Sequence, residues 1–182
     1  FDTQVPLELL NQILLQTQAH LKRPQLIFDL VRVIRPEHFG VLGYMASKSS
    51  NLSEIIDYIM RFQRLVIDGS EFVPLQLRQY EQGVELYWAY LDDKYNLLNE
   101  LTMAAMLQLA RSILLEQQLV LKTVRFAHTP NISVQHFYKF FATEVLFSQP
   151  HYGFSLDLQG LHLKSEHADP MLLQLLLRLL TL

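Results

Sequence analysis

The spacing of apolar residues divides the 182-residue chain into helical and alternating stretches. In "PLELLNQILLQTQAHL", Leu7, Leu10, Leu14 and Thr17 fall near one stripe with Leu9 and Ile13 beside it, which predicts an amphipathic helix from Pro6 to about Leu21. A short second helix is expected after Pro24. In "NLSEIIDYIMRFQRLV", Ile55, Ile59, Phe62 and Val66 recur at helical spacing. Asn51 is the candidate N-cap there, with Glu54 three residues on to bond back to it.

The period then switches from helical to alternating. Val73, Leu75 and Leu77 alternate with Pro74, Gln76 and Arg78, and Val84, Leu86, Trp88 and Tyr90 alternate with Glu85, Tyr87 and Ala89. The intervening "YEQG" predicts a turn in which Gly83 supplies a positive φ, so these residues form a β-hairpin. Pro74 argues that the first strand lies at an edge or starts late. Aromatics on both faces of "VELYWAYL" imply core on one side and a cavity or second layer on the other.

Residues 97–118 are apolar nearly all round, with one narrow polar strip through Gln108, Arg111 and Ser112, and predict a long helix covered on most sides. Short strands are expected at "KTVRFAH", "EVLFSQ" and "GFSLDL", with a helix at "SVQHFYKFF" between the first two, capped by Ser133. Asp169 and Pro170 open a last helix, a capping side chain followed by the residue pre-set for the first helical position. Eight of the last twelve residues are leucine, and Gln174, Arg178 and Thr181 trace one thin polar line among them. No period of 20 to 50 residues repeats. The order predicts one α+β domain over residues 1–182: N-terminal helices, β-hairpin, long central buried helix, short antiparallel strands and a C-terminal Leu-rich helix at 170–182.

Composition narrows the function classes. Half the residues are hydrophobic and 18% are charged, which favours a globular chain over disorder. The net charge of -3 comes with scattered Lys and Arg, so no footprint for nucleic acid is visible. The absence of cysteine excludes disulfides, thiolate metal sites and a cysteine nucleophile. The start at Phe1, with no basic-then-apolar leader, reads as an excised fragment. The Leu-rich end falls short of the roughly 20 apolar residues of a membrane span and carries Arg178.

Motif chemistry is sparse. The glycines assemble no phosphate-cradling loop or dinucleotide fingerprint. None of the seven histidines forms an H-x-x-x-H pair, and no G-x-S-x-G elbow occurs. No metal, cofactor or catalytic set is expected, and the chain reads as a binding module, not an enzyme. The candidate ligand contacts are the aromatics of α-helical and hairpin segments, Tyr44, Tyr58, Phe62, Tyr87 and Trp88, with Arg64 and Arg78 as counter-charges for an anionic ligand. Core packing is the competing account of each aromatic.

Two segments resemble AraC-type transcription regulators. "FGVLGYMASKSSNLSEIIDYIMRFQRLV", residues 39–66, is similar to that family's Gly-x-Leu-Gly-Tyr stretch followed by a Leu-x-Glu helix ending in Arg and an aromatic. "VRFAHTPNISVQHFYKFFATEVLFSQPHYGFSLDLQGLHL", residues 124–163, resembles its Val-x-Phe-x-His, Phe-Phe and Val-x-Phe pattern. Phe126, His128, Phe141 and Phe147 carry over as fold markers. Ala142 departs from the glycine often found after Phe-Phe, and "LKSEHADP" lacks the usual proline before its leucine.

The likeness is to the N-terminal, arabinose-binding-type sensing domain in its helix-rich branch. It implies a bacterial, cytoplasmic regulator that binds a small-molecule effector, forms a homodimer, and reaches DNA only through a C-terminal helix-turn-helix domain missing here. The helix at 170–182 would lead into that domain, with Leu172, Leu175, Leu176 and Leu179 as its dimer or linker face. The alternative is a constitutive dimerisation domain that senses no ligand.

Overall fold

A computed structural model describes residues 6–65, 73–114 and 119–180. Helices α1 (Leu7–Leu21) and α2 (Leu26–Val31) come first, as the apolar spacing predicts. A short 3-10 turn at Pro36–Phe39 leads into α3 (Gly40–Lys48). The two glycines of the Gly-x-Leu-Gly-Tyr stretch have separate reasons. Gly40 sits at φ 57 and ψ -140, a conformation closed to side chains, and a Cβ on Gly43 would stand 1.9 Å from the Pro36 carbonyl oxygen.

Helix α4 (Leu52–Phe62) has the expected cap, with Asn51 Oδ1 accepting from the Glu54 amide at 3.0 Å, but the expected return bond from the Glu54 side chain to Asn51 is displaced by one residue. The Glu54 carboxylate reaches back to the Ser50 amide, one residue before the cap. Val66, expected at the end of this helix, lies outside the described residues, as do residues 70–72 at the start of the expected hairpin.

Strands β1 (Gln76–Tyr80) and β2 (Gly83–Ala89) form the hairpin, and β1 is an edge strand that starts after Pro74, so both consequences of the proline hold. Gly83 does not serve as a positive-φ residue; among the described glycines only Gly40 has one. Its requirement is space, because a Cβ would meet the Leu156 carbonyl oxygen at 2.5 Å.

Helix α5 (Asn96–Ile113) is the long central helix, burying nine of its residues from Leu97 to Ile113; it stops short of the expected end at 118, with Leu114 extended and residues 115–118 outside the described residues. After β3 (Leu121–Arg125) come α6 (Val134–Phe141), β4 (Glu144–Leu146) and β5 (His151–Asp157). Ser133 occupies the cap position of α6 but makes no side-chain capping bond; only its carbonyl is used, by the His136 amide.

The hairpin and the short strands make one five-stranded sheet in the order β1-β2-β5-β3-β4. The expectation of antiparallel short strands holds for β3 with β5 and for β2 with β5, but β3 and β4 run parallel. Parallel neighbours need a crossover, and α6 is that crossover.

The fold markers earn their places in the aromatic core. Phe126 is fully buried and lies 5.2 to 5.7 Å between ring centres from Phe137, Phe141, Phe147 and His128. Ala142 ends α6 at φ 55, its amide bonded to the Tyr138 carbonyl, in the left-handed conformation that explains why glycine suits the position.

Beyond β5 the chain threads between α4 and α5. Leu163 accepts from the Leu52 amide, and the Glu166 amide donates to Ile113. Helix α7 (Pro170–Leu180) then starts with Asp169 Oδ1 accepting from the Leu172 amide at 3.0 Å, the predicted cap, and packs on α3 through buried Leu173.

Candidate functional site

Alternation along β2 sends Val84, Leu86 and Trp88 to one face and Glu85 and Tyr87 to the other. Register carries this across the sheet. Leu86 pairs with Phe154 and Trp88 with Tyr152 on the inner face, while Glu85 pairs with Ser155 and Arg78 on the outer one.

The inner face bounds an apolar cleft of about 60 Å³. Leu52, Ile55, Ile56 and Ile59 of α4 form one wall. Met106, Leu107, Leu109 and Ala110 of α5 form another, with Leu86, Leu121, Phe154 and Leu156 as the sheet floor and Leu119 beside them. Every lining side chain is aliphatic, thioether or phenyl. The cleft therefore offers no side-chain hydrogen bond and selects by shape and apolar contact.

Next to the cleft's floor runs a buried polar chain. His128 Nε2 lies 2.9 Å from Glu100 Oε1, and its Nδ1 lies 3.0 Å from the Tyr152 hydroxyl, which is 3.2 Å from Asn96 Oδ1. Glu100 and His128 are 3% and 5% exposed, so each is the other's principal replacement for water. Burial, with nearby acidic groups second to it, pushes the Tyr152 phenol well above its ordinary value. Trp88 joins this layer, donating from Nε1 to Asn99 Oδ1 at 2.9 Å and stacking on Tyr152 with ring centres 5.7 Å apart.

The outer face carries a charge cluster in place of a second layer. Glu85 is only 3% exposed, because its neighbours' side chains close over it. Oε1 accepts from Arg125 at 2.9 Å and from His151 at 3.0 Å, and Oε2 accepts from Arg78. Burial works to raise the Glu85 pKa, but the hydrogen bonds from His151 and Arg78 and the charges of Arg125 and Arg78 outweigh it and hold the carboxyl below its ordinary range. Arg125 also donates to Ser155 Oγ, and Arg78 lies over the Tyr87 ring, 5.0 Å from its centre.

The seven residues singled out from sequence do not converge. Arg78 and Tyr87 meet on the outer face, whereas Trp88 is 6% exposed in the core behind it. Tyr58 and Phe62 stack on each other along α4, with the Tyr58 hydroxyl donating to Glu54. Arg64 is exposed in the turn after α4, and Tyr44 is 42% exposed on α3 with Lys48 over its ring. None of the seven lines the cleft. Of the last helix, Leu175 and Leu179 are 54% and 63% exposed, while Leu172 and Leu176 are half-buried.

The cleft's lining escaped sequence reading because aliphatic residues at helical spacing look like ordinary core. The polar chain escaped because its members are 28 and 24 residues apart in sequence. The signal that was available is the Glu100 position itself, a carboxylate on the apolar side of a helix with no nearby basic residue.

This arrangement of helices over a five-stranded sheet has relatives. The family described as the arabinose-binding domain of AraC transcription regulators, N-terminal, matches residues 1–165. The chain belongs to that family, which is one of regulatory sensing domains and not of enzymes. The structure is similar to the crystal structure of the transcriptional regulator CdpR from Pseudomonas aeruginosa, with a TM-score of 0.73 at 18% identity. That match covers 96% of this chain and 57% of the other, so the chain spans little more than half the length of that regulator. No curated protein sequence matches. Among the described residues no helix is long and apolar enough to cross a membrane.

Proposed function

We propose that the chain is the effector-sensing part of a bacterial, cytoplasmic AraC-type transcription regulator, and that a small molecule binds in the cleft between α4, α5 and the sheet. The observation that carries this reading is a sensing-domain family match on a chain in which α4, α5 and the sheet line an apolar cleft. A ligand there touches α4, α5 and three strands at once. It favours whichever arrangement of those helices it fits best, and only such differential affinity can transmit a signal. The output runs through α5 and the segment bonded to its end, then through α7, to a homodimer contact or to an attached helix-turn-helix domain.

The test is a thermal-shift screen of metabolites on the intact protein. A ligand at one hundred times its dissociation constant stabilises by about 2.7 kcal/mol, which is several degrees for a domain of this size. A ligand whose shift vanishes in Ala110→Leu supports the cleft as the site. A shift insensitive to that change, but lost when Arg78 and Tyr87 are both replaced by alanine, moves the site to the hairpin's outer face.

The exposed stripe of Met171, Leu175 and Leu179 favours a second reading, in which α7 dimerises the protein constitutively and no ligand is sensed. Sedimentation with and without the screened compounds separates the two. A dimer abolished by Leu175→Ser with Leu179→Ser, and indifferent to every compound, supports the second.

A further inference from the structure

Resting on the reading of the cleft as the effector site, we propose that the effector carries an unbranched alkyl or acyl chain, of which about four to six carbons enter the cleft while the polar head stays outside. The lining decides the chemistry. Leucine, isoleucine, methionine, alanine and phenylalanine side chains surround the space. A hydroxyl, amide or charged group inside would lose its water and gain no partner. That excludes a sugar or an amino acid lying wholly within the cleft, whatever the family is called.

The volume decides the shape. A water-sized group needs about 10 to 15 Å³ of such room, and a methylene is close to that size. The roughly 60 Å³ present therefore holds a short run of chain atoms. The space suits a slender chain better than an aromatic ring, since benzene filled an engineered apolar cavity of about 150 Å³. Met106 suits a chain that can settle in more than one way, because its unbranched thioether adapts to irregular contact. Of the sheet's charged groups, Arg78, Arg125 and His151 are on the opposite face from Leu86 and Phe154 and are engaged with Glu85, and Lys122, next to Leu121, is paired with Asp157. They do not reach a chain in the cleft.

Calorimetric titration of the intact protein with straight-chain 1-alkanols from two to ten carbons, and with the matching carboxylates, tests this. Affinity should rise about fourfold per carbon, the value of one buried methylene, and flatten once the chain passes about four to six carbons. Alcohols and acids should share that slope, since the head remains in water. Ala110→Leu from α5 and Ile59→Phe from α4 should each weaken hexanol binding at least tenfold while the variant still melts cooperatively. Should either variant fail to fold, the other and the wild-type slope still decide the matter.

A flat series, or no binding at any length, overturns the alkyl chain. A compact polar metabolite that binds and is blocked by Ala110→Leu also overturns it, but leaves the cleft as effector site. A ligand indifferent to both variants overturns the cleft as well.

Discussion

The two faces of the sheet solve burial in opposite ways, and adjacent residues show it. Trp88 goes inward, where it stacks on Tyr152 above a layer of apolar side chains that leaves room for a ligand. Tyr87 goes outward, where it is half-buried beside a carboxylate that is almost wholly buried. Polarity therefore does not track exposure in this sheet. The inner face is apolar around the cleft, with the Tyr152–His128–Glu100 chain beside it, and the outer face is charged and closed by its own side chains. The proposed sensing role is assigned to the face with space, because there a ligand can remove apolar surface from water without first displacing an ion pair.

The largest test of that contrast is Trp88→Ala. If the inner face is the structural floor, truncation costs about 3 to 5 kcal/mol in urea denaturation, through lost burial, the cavity left and the orphaned Asn99 acceptor. A variant that loses less than about 1 kcal/mol, yet no longer responds to ligand, would restore Trp88 as a binding residue instead.

Glu85→Gln comes second, at about 1 to 3 kcal/mol, because it leaves Arg125 and His151 facing a neutral amide under partial cover, while exposed Arg78 limits the loss. The sign with pH follows from the lowered pKa. Stabilisation by Glu85 is complete above its unfolded value near 4.5 and disappears as pH falls through the lower folded value. The stability gap between wild type and Glu85→Gln, measured by denaturation from pH 7 to pH 3, should therefore shrink only below that point. A gap that stays constant down to pH 3 would show that the carboxylate charge is not what holds the outer face.

A substitution touching neither face sets the scale for both. Ala142 pays backbone strain at φ 55, so Ala142→Gly should stabilise by up to about 1 kcal/mol, a rise of roughly 2 to 4 °C in melting temperature. A fall instead would mean that the methyl's packing outweighs the strain.

How much of this was legible depends on the range of the interaction. Helix starts at Asn51 and Asp169 were readable because cap and helix are neighbours in sequence. Pro74 left two alternatives for β1, an edge position or a late start, and did not choose between them. The parallel pairing of β3 with β4 was not readable, since period-two alternation is the same in either direction and only α6 between them hints at a crossover. The proposed cleft was least legible. Selecting aromatics and arginines gathers residues that alternation then divides between two faces and two helices. The cleft is made of apolar, mostly aliphatic residues brought together from α4, α5 and three strands, and nothing local distinguishes them from core.

The smallest effect is the most discriminating for the outer face. Tyr87→Ala removes the ring under the Arg78 guanidinium and beside His151, contacts worth about 0.5 to 1 kcal/mol at a partly exposed site. Placed beside Trp88→Ala, one position along the same strand, it should cost less than a third as much and leave any cleft ligand's affinity within about twofold, because loss of a surface contact moves no wall of the cleft. If Tyr87→Ala instead weakens that ligand tenfold, the two faces are coupled through β2, and the outer charge cluster would have to be counted as part of the sensor.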